Sequence, residues 1–201
     1  MKVYGDIASG NCYKVKLVLA RLGLAHEWLH VDILQGATHT EEFLRLNPNG
    51  KIPVLVLDDG QALAESNAIL NYLADGSPLL PDGRLERARV LEWQFFEQYS
   101  HEPYIAVARF INKYLGMPEA RRAEYEAKQA GGRKALGVME QQLARTPFLT
   151  GGHCTIADIS LYAYTHVAHE GGFDLAEFPA VSAWLERVRS QPGHVSMEQF
   201  L

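Results

Sequence analysis

Cysteine is scarce in this chain. Cys12 and Cys154 are the only two among 201 residues, far apart and outside any C-x-x-C pair. That excludes a disulfide framework and a zinc knuckle, and it fits a reducing compartment, so a cytoplasmic location is expected. Charge of one sign is also in short supply. The formal net charge is −5, and the lysines and arginines are scattered. A nucleic-acid groove or an anionic-membrane face needs a basic stripe, so neither partner is expected. No apolar run reaches the length of a membrane span, and Met1 to Ser9 holds nothing that would serve as a secretory leader. The fingerprints G-x-G-x-x-G, the P-loop and G-x-S-x-G do not occur. His166, His169 and Glu170 could share a helix face, but no further ligands complete a site, so no metal is expected. Apolar residues reach 47 %, which is enough for a proper core and argues against disorder.

The most informative stretch runs from Asn47 to Leu70. Asn47-Pro48-Asn49-Gly50 clusters turn formers, because proline fixes φ while asparagine and glycine tolerate left-handed backbone. Ile52 to Leu57 is short, apolar and β-branched, as a strand buried on both faces should be. Asp58-Asp59-Gly60 is a tight hairpin signal, followed by a short strand from Gln61 to Ala64. Glu65-Ser66-Asn67 then opens a helix with apolar Ala68, Ile69, Tyr72 and Leu73. A strand begun by proline, beside a helix start bearing a small hydroxyl, leaves bare backbone groups. Those groups suit a peptide that carries a free carboxylate.

Upstream, Lys2 to Tyr4 reads as a strand. Asn11 to Leu22 reads as a helix closed by Gly23, with Lys14, Lys16 and Arg21 facing outward. His26 to Val31 reads as a second strand, Gln35 to Thr40 as a polar loop, and Glu41 to Leu46 as a short helix. The order β-α-β-α-β-β-α implies a parallel βαβ unit and an antiparallel hairpin, which together match a thioredoxin-like sheet. Residues 1–77 form this expected domain, 78–84 a Gly/Pro-rich connector, and 85–201 a second domain in which strand signals vanish. Arg84 to Tyr114 is helical in period, with Pro103 expected to kink or break it near Ser100 to Glu102. Pro118 begins a helix expected to reach about Arg145 despite Gly131-Gly132. Thr155-Ile156-Ala157-Asp158 is a capping box opening a helix to about Ala168, and Pro179 to Ser190 forms the last helix. The fold class is therefore α/β plus all-α: a thioredoxin-like domain followed by a helical bundle.

Four motifs, in this order and at these separations, resemble the cytosolic glutathione transferases over nearly the whole chain. They are Ser9-Gly10-Asn11-Cys12-Tyr13-Lys14-Val15, Asn47 to Pro53, Glu65-Ser66-Asn67-Ala68-Ile69, and the Thr155 to Asp158 box. The S-x-N pattern ahead of Lys-Val is similar to the bacterial serine-type, Nu/theta-like classes, including the Nu-like disulfide reductases. The resemblance implies glutathione as co-substrate and a small hydrophobic electrophile or a disulfide as second substrate. It also implies a homodimer, for which the Leu85 to Tyr99 helix is the candidate interface.

Site residues follow from the same motifs. Ser9 stands where the family activates the glutathione sulfur, although a serine there is equally an ordinary helix N-cap. Asn11 could donate its amide to the same sulfur or cap the helix. Cys12 sits near a helix N-terminus, where a thiol pKa tends to fall, and could form a mixed disulfide; a buried structural cysteine is the other reading. Ile52-Pro53 is implied to be a cis bond that turns the Ile52 N–H and C=O toward the peptide. Glu65 and Ser66 would hold the γ-glutamyl end of glutathione, or form a simple polar helix start with Ser66 as cap; His39 and Lys51 would hold its glycyl carboxylate, or be solvated loop residues. Tyr13, His101, Tyr104 and Arg109, with Phe110, could line the second-substrate pocket, against the plainer reading of an aromatic core stripe. Asp158 is read as a folding element. The activity expected is that of a glutathione S-transferase; glutathione-dependent disulfide or peroxide reduction, and a non-catalytic scaffold role, are the alternatives.

Overall fold

The computed structural model of the chain describes residues 1–199. Its contacts divide them into two units, Met1–Pro78 joined by the tail from Pro192, and Leu79–Gln191. In the first unit, β1 (Lys2–Gly5), β2 (Glu27–His30), β3 (Val54–Val56) and β4 (Ala62–Ala64) form one sheet in the order β2-β1-β3-β4. β1 pairs parallel with β2 and antiparallel with β3, and β3 pairs antiparallel with β4. The parallel pair requires a crossover, which is α1 (Gly10–Leu22). Gly23 closes that helix at φ 64°, a left-handed conformation glycine adopts without a Cβ penalty. α2 (Glu41–Leu46) and α3 (Ser66–Ala74) complete the unit, and a single 3-10 turn, Ala37–His39, lies inside the expected polar loop. β3 is shorter than the apolar run predicts, because Pro53 has no N–H and the ladder begins only after it. Val3, Val54 and Leu55 are fully buried at the centre of the sheet.

Two expectations fail on α1. Lys14 and Lys16 do not face outward; they are 0 % and 2 % exposed. Nor does the tail belong with the helical domain. Tyr13 donates its hydroxyl to the Val195 carbonyl at 2.7 Å. Lys16 donates to the carbonyls of Ser196 at 3.1 Å and Met197 at 2.9 Å, and to that of Gln199. A buried ammonium must find acceptors, and the main-chain carbonyls of the irregular tail supply them. Phe200 and Leu201, included in the expected second domain, lie outside the described residues.

The second unit contains α4 (Arg84–Phe96), α5 (Glu102–Arg109), α6 (Arg122–Leu143), α7 (Ile156–Thr165) and α8 (Pro179–Arg189). Regular α-helix is interrupted just before Pro103, where a kink or break is expected. A π-turn over Glu97–His101 precedes it, and Pro103 falls in the first turn of α5, where a missing N–H costs nothing. Gly131-Gly132 inside α6 also has a reason. A Cβ at Gly131 would lie 2.2 Å from the Tyr104 ring, and one at Gly132 would lie 2.2 Å from the Phe173 ring. Two aromatic faces rest on bare helix backbone, and that burial offsets the roughly 1 kcal/mol each glycine costs a helix interior.

The capping box at the start of α7 is present as predicted. Asp158 is fully buried; its Oδ2 accepts from the Thr155 N–H at 2.9 Å, and its Oδ1 from the Leu149 N–H and the Trp184 indole, each at 2.9 Å. One carboxylate thus ties the helix start to the preceding loop and to α8. Asp158→Ala should destabilise the protein by about 3 kcal/mol or more, since it removes a cap and orphans several buried donors. Denaturant unfolding measures this, and a loss within the experimental error of zero would contradict the assignment.

Candidate active site

The first unit brings two helix N-termini into direct hydrogen-bonded contact. Ser9 is the N-cap of α1, and its Oγ accepts from the Cys12 N–H at 3.4 Å. A hydroxyl that accepts still has its proton to give, so capping and donation to a ligand are compatible rather than alternative roles. Asn11 lies in the first turn. Its Oδ1 accepts from the Lys14 ammonium at 2.7 Å and from the Ser66 hydroxyl at 3.1 Å, while the ammonium is 3.4 Å from the Ser66 oxygen. Ser66 opens α3, so the cluster joins the start of α1 to the start of α3. The sequence reading missed Lys14. No local signal announces it, because Ser66, which meets Lys14, is 52 residues away in the sequence.

Glu65, immediately before α3, has φ 67° and ψ 112°; it and Met117 are the described non-glycine residues with positive φ. Such backbone costs of order 1–3 kcal/mol, and it is held here between a strand and a helix. The Glu65 side chain is exposed and gives the helix no capping hydrogen bond. The α3 N–H groups therefore point their partial positive charge without a carboxylate cap from Glu65, an arrangement suited to an anion. Ile52–Pro53 is cis, as the resemblance implies. It sits at the entry to β3, next to the strand that leads into Ser9. His39 and Lys51 are both exposed. The His39 ring lies against Gly50, where a Cβ would come within 3.4 Å of it. The Lys51 carbonyl accepts from buried Asn47 at 2.7 Å, which pins the turn before Ile52.

The expected second-substrate residues need correcting. Tyr13 is 1 % exposed and its hydroxyl is committed to Val195, so it anchors the tail rather than lining a pocket. His101 is fully buried with Nε2 2.9 Å from the Thr165 hydroxyl. Arg109 is buried and donates to Glu170 at 2.6 Å, a carboxylate shared with Lys113 at 3.0 Å. Both are framework of the helical unit. Tyr104 is half-buried over Gly131 and remains a candidate pocket residue. A cavity of about 530 Å³ in the helical unit is walled by Trp93, Phe96, Val138 and Leu149 and by none of these residues. The His166 ring stacks on Tyr162, and Glu170 is engaged by Arg109 and Lys113.

Cys12 is fully buried, and a Cβ on Gly5 would lie 2.9 Å from its sulfur. Burial pushes its pKa up to about 12, against the pull of the Ser9 hydrogen bond. The structural reading of this cysteine holds, and the mixed disulfide does not. At pH 8 an alkylating reagent should leave Cys12 unmodified in the native protein and label it in denaturant, as read by peptide mass spectrometry. Rapid native labelling would overturn this placement.

Comparison with known proteins gives a single answer. The model of the glutathione S-transferase N-terminal domain matches residues 8–75, and that of the C-terminal domain matches residues 94–192. A crystal structure of a glutathione S-transferase from Pseudomonas fluorescens Pf-5 has 65 % identity and a TM-score of 0.97, over 98 % of both chains. The disulfide-bond oxidoreductase YfcG of Escherichia coli is 33 % identical over 189 residues, 90 % of this chain and 87 % of that protein. A glutathione transferase from Phanerochaete chrysosporium, solved in complex with oxidized glutathione, has 29 % identity and a TM-score of 0.86, over 96 % of this chain and 91 % of that one. With a thioredoxin-like sheet, a following helical unit and both domain models matched in order, the chain belongs to the glutathione S-transferase family.

Proposed function

We propose that the chain is a glutathione S-transferase that presents glutathione as a thiolate to apolar electrophiles. The observation that supports this reading is the Asn11–Lys14–Ser66 cluster, which ties the start of α1 to the start of α3. A free thiol has a pKa of about 8.5, so only a few per cent of it is nucleophilic at neutral pH. The Ser9 hydroxyl and the Asn11 amide donate to the sulfur beside the positive end of α1, which favours the anion. The Ile52 backbone holds the cysteinyl unit, and the α3 N-terminus at Ser66 takes the γ-glutamyl carboxylate while Glu65 meets the ammonium. His39 and Lys51 receive the glycyl end. Positioning and thiolate activation then supply the acceleration. The relative from Phanerochaete chrysosporium, whose structure contains oxidized glutathione, supports this choice of ligand.

A second reading is favoured by Asn11 and by the bacterial oxidoreductase relative: reduction of disulfides or peroxides at glutathione's expense. Cys12 is too buried to take part, so the chemistry runs through glutathione alone. Its thiolate attacks a disulfide sulfur and expels one thiolate, and a second glutathione then releases the other with formation of glutathione disulfide. The assembly we propose is a homodimer. Leu91, Phe95 and Tyr99 recur at helical spacing along α4 and the π-turn and are 41 %, 67 % and 86 % exposed, an apolar stripe that a second copy would cover.

A glutathione-affinity column followed by assays with a halonitrobenzene and a small disulfide separates these readings. Retention with conjugation supports the transferase, retention with disulfide turnover alone supports the reductase, and passage without retention sinks both. Ser9→Ala should lower kcat/KM about tenfold at neutral pH, the equivalent of one pKa unit. The deficit should shrink above the free thiol pKa, where ionisation needs no assistance. A deficit that stays constant with pH would remove the role assigned to Ser9.

A further inference from the structure

We infer that Lys14 is a positioning residue for the sulfur-binding end of this site, setting which edge of the Asn11 carboxamide faces the ligand. The inference rests on reading the chain as a glutathione-thiolate enzyme and adds a residue to it. Lys14 is 0 % exposed, and its ammonium lies 2.7 Å from Asn11 Oδ1 and 3.4 Å from Ser66 Oγ. An ammonium is donor-only. The amide edge turned toward it must therefore be the oxygen, because the flipped amide would set N–H groups against a cation. The Ser66 hydroxyl donates to the same oxygen at 3.1 Å and reinforces that choice. With Oδ1 fixed on this side, the donating Nδ2 edge lies on the opposite side of the same planar group. An amide held in that sense presents a donor to an anion, so it recognises the thiolate rather than the thiol.

The same contacts assign Ser66 a narrower task. Its hydroxyl proton points to Asn11, so its main-chain N–H, in the first turn of α3, is the group offered to a carboxylate. Lys14 thereby couples the two ends of the ligand site, and its effect on chemistry passes through Asn11. A buried cation is costly compared with an apolar side chain of the same volume. Orienting the amide is a task that an apolar replacement could not perform.

The test compares wild type, Lys14→Met, Lys14→Arg, Asn11→Asp, Asn11→Ala, and Lys14→Met combined with Asn11→Ala. The readouts are kcat and KM for glutathione, the ultraviolet absorbance of the bound thiolate against pH, and thermal melting. Lys14→Met should shift the thiolate titration upward and cut kcat about tenfold, the equivalent of one pKa unit. Lys14→Arg should restore most of that loss. In the Asn11→Ala background the added Lys14→Met should cost less than about threefold, since residues acting through one contact are non-additive. Asn11→Asp keeps the acceptor for Lys14 but lacks the donor edge, so it should melt normally and lose the thiolate signal. It keeps the inference refutable even if Lys14→Met does not fold. A folded Lys14→Met with wild-type titration, full multiplication of the losses, or a wild-type titration in Asn11→Asp would each overturn the inference. Failure of wild type to bind glutathione would instead overturn the functional reading beneath it.

Discussion

A single ammonium at the junction of two helix starts organises the first unit. Lys14 reaches both Asn11 in α1 and Ser66 in α3, and those two side chains also bond to each other. Helix N-termini attract anions, but each acts only within its first turn. Two of them serve one ligand only if their relative position is fixed. The hydrogen bonds among these three residues supply that constraint, and the antiparallel pairing of β1 with β3 brings the Ile52–Pro53 bond to the same end of the sheet. The proposed ligand, an extended peptide with an acidic sulfur at one point and a carboxylate at another, matches such an arrangement.

α1 departs from the usual surface helix, being buried from Cys12 to Leu19. Its two interior lysines are each given polar work, one at the ligand end and one under the tail, where Lys16 holds main-chain carbonyls. Asp158 plays the matching part in the helical unit, a buried carboxylate that satisfies main-chain donors and the Trp184 indole. In each case a buried charge is tolerated because several fixed groups of opposite polarity surround it. Local sequence changes at these three positions therefore act on the orientation of whole segments.

Much of this was legible before any coordinates. Turn chemistry at Asn47 to Gly50 and Asp58 to Gly60, the periodicity of α1 and α8, and the Thr155 to Asp158 box rest on short-range rules that tertiary context did not override. The placement of Ser9, Asn11 and Ser66 at helix starts was also readable, since their motifs lie at element boundaries. What escaped notice depends on long-range contacts. Lys14 and Lys16 looked solvated because lysine usually is, and only the tail and α3 explain their burial. Tyr13 looked like a pocket residue because nothing in its neighbourhood announces Val195 as its partner. The irregularity expected ahead of Pro103 takes the form of a π-turn over Glu97–His101.

The central claim is that one peptide ligand spans both helix starts, its sulfur at α1 and its carboxylate at α3. A crystal structure of the protein soaked with glutathione tests it most directly. The account predicts the sulfur within hydrogen-bonding distance of the Ser9 hydroxyl and the Asn11 amide nitrogen, with the γ-glutamyl carboxylate on the Ser66 N–H. An empty cleft at saturating tripeptide, or a ligand whose sulfur sits away from both side chains, would contradict it.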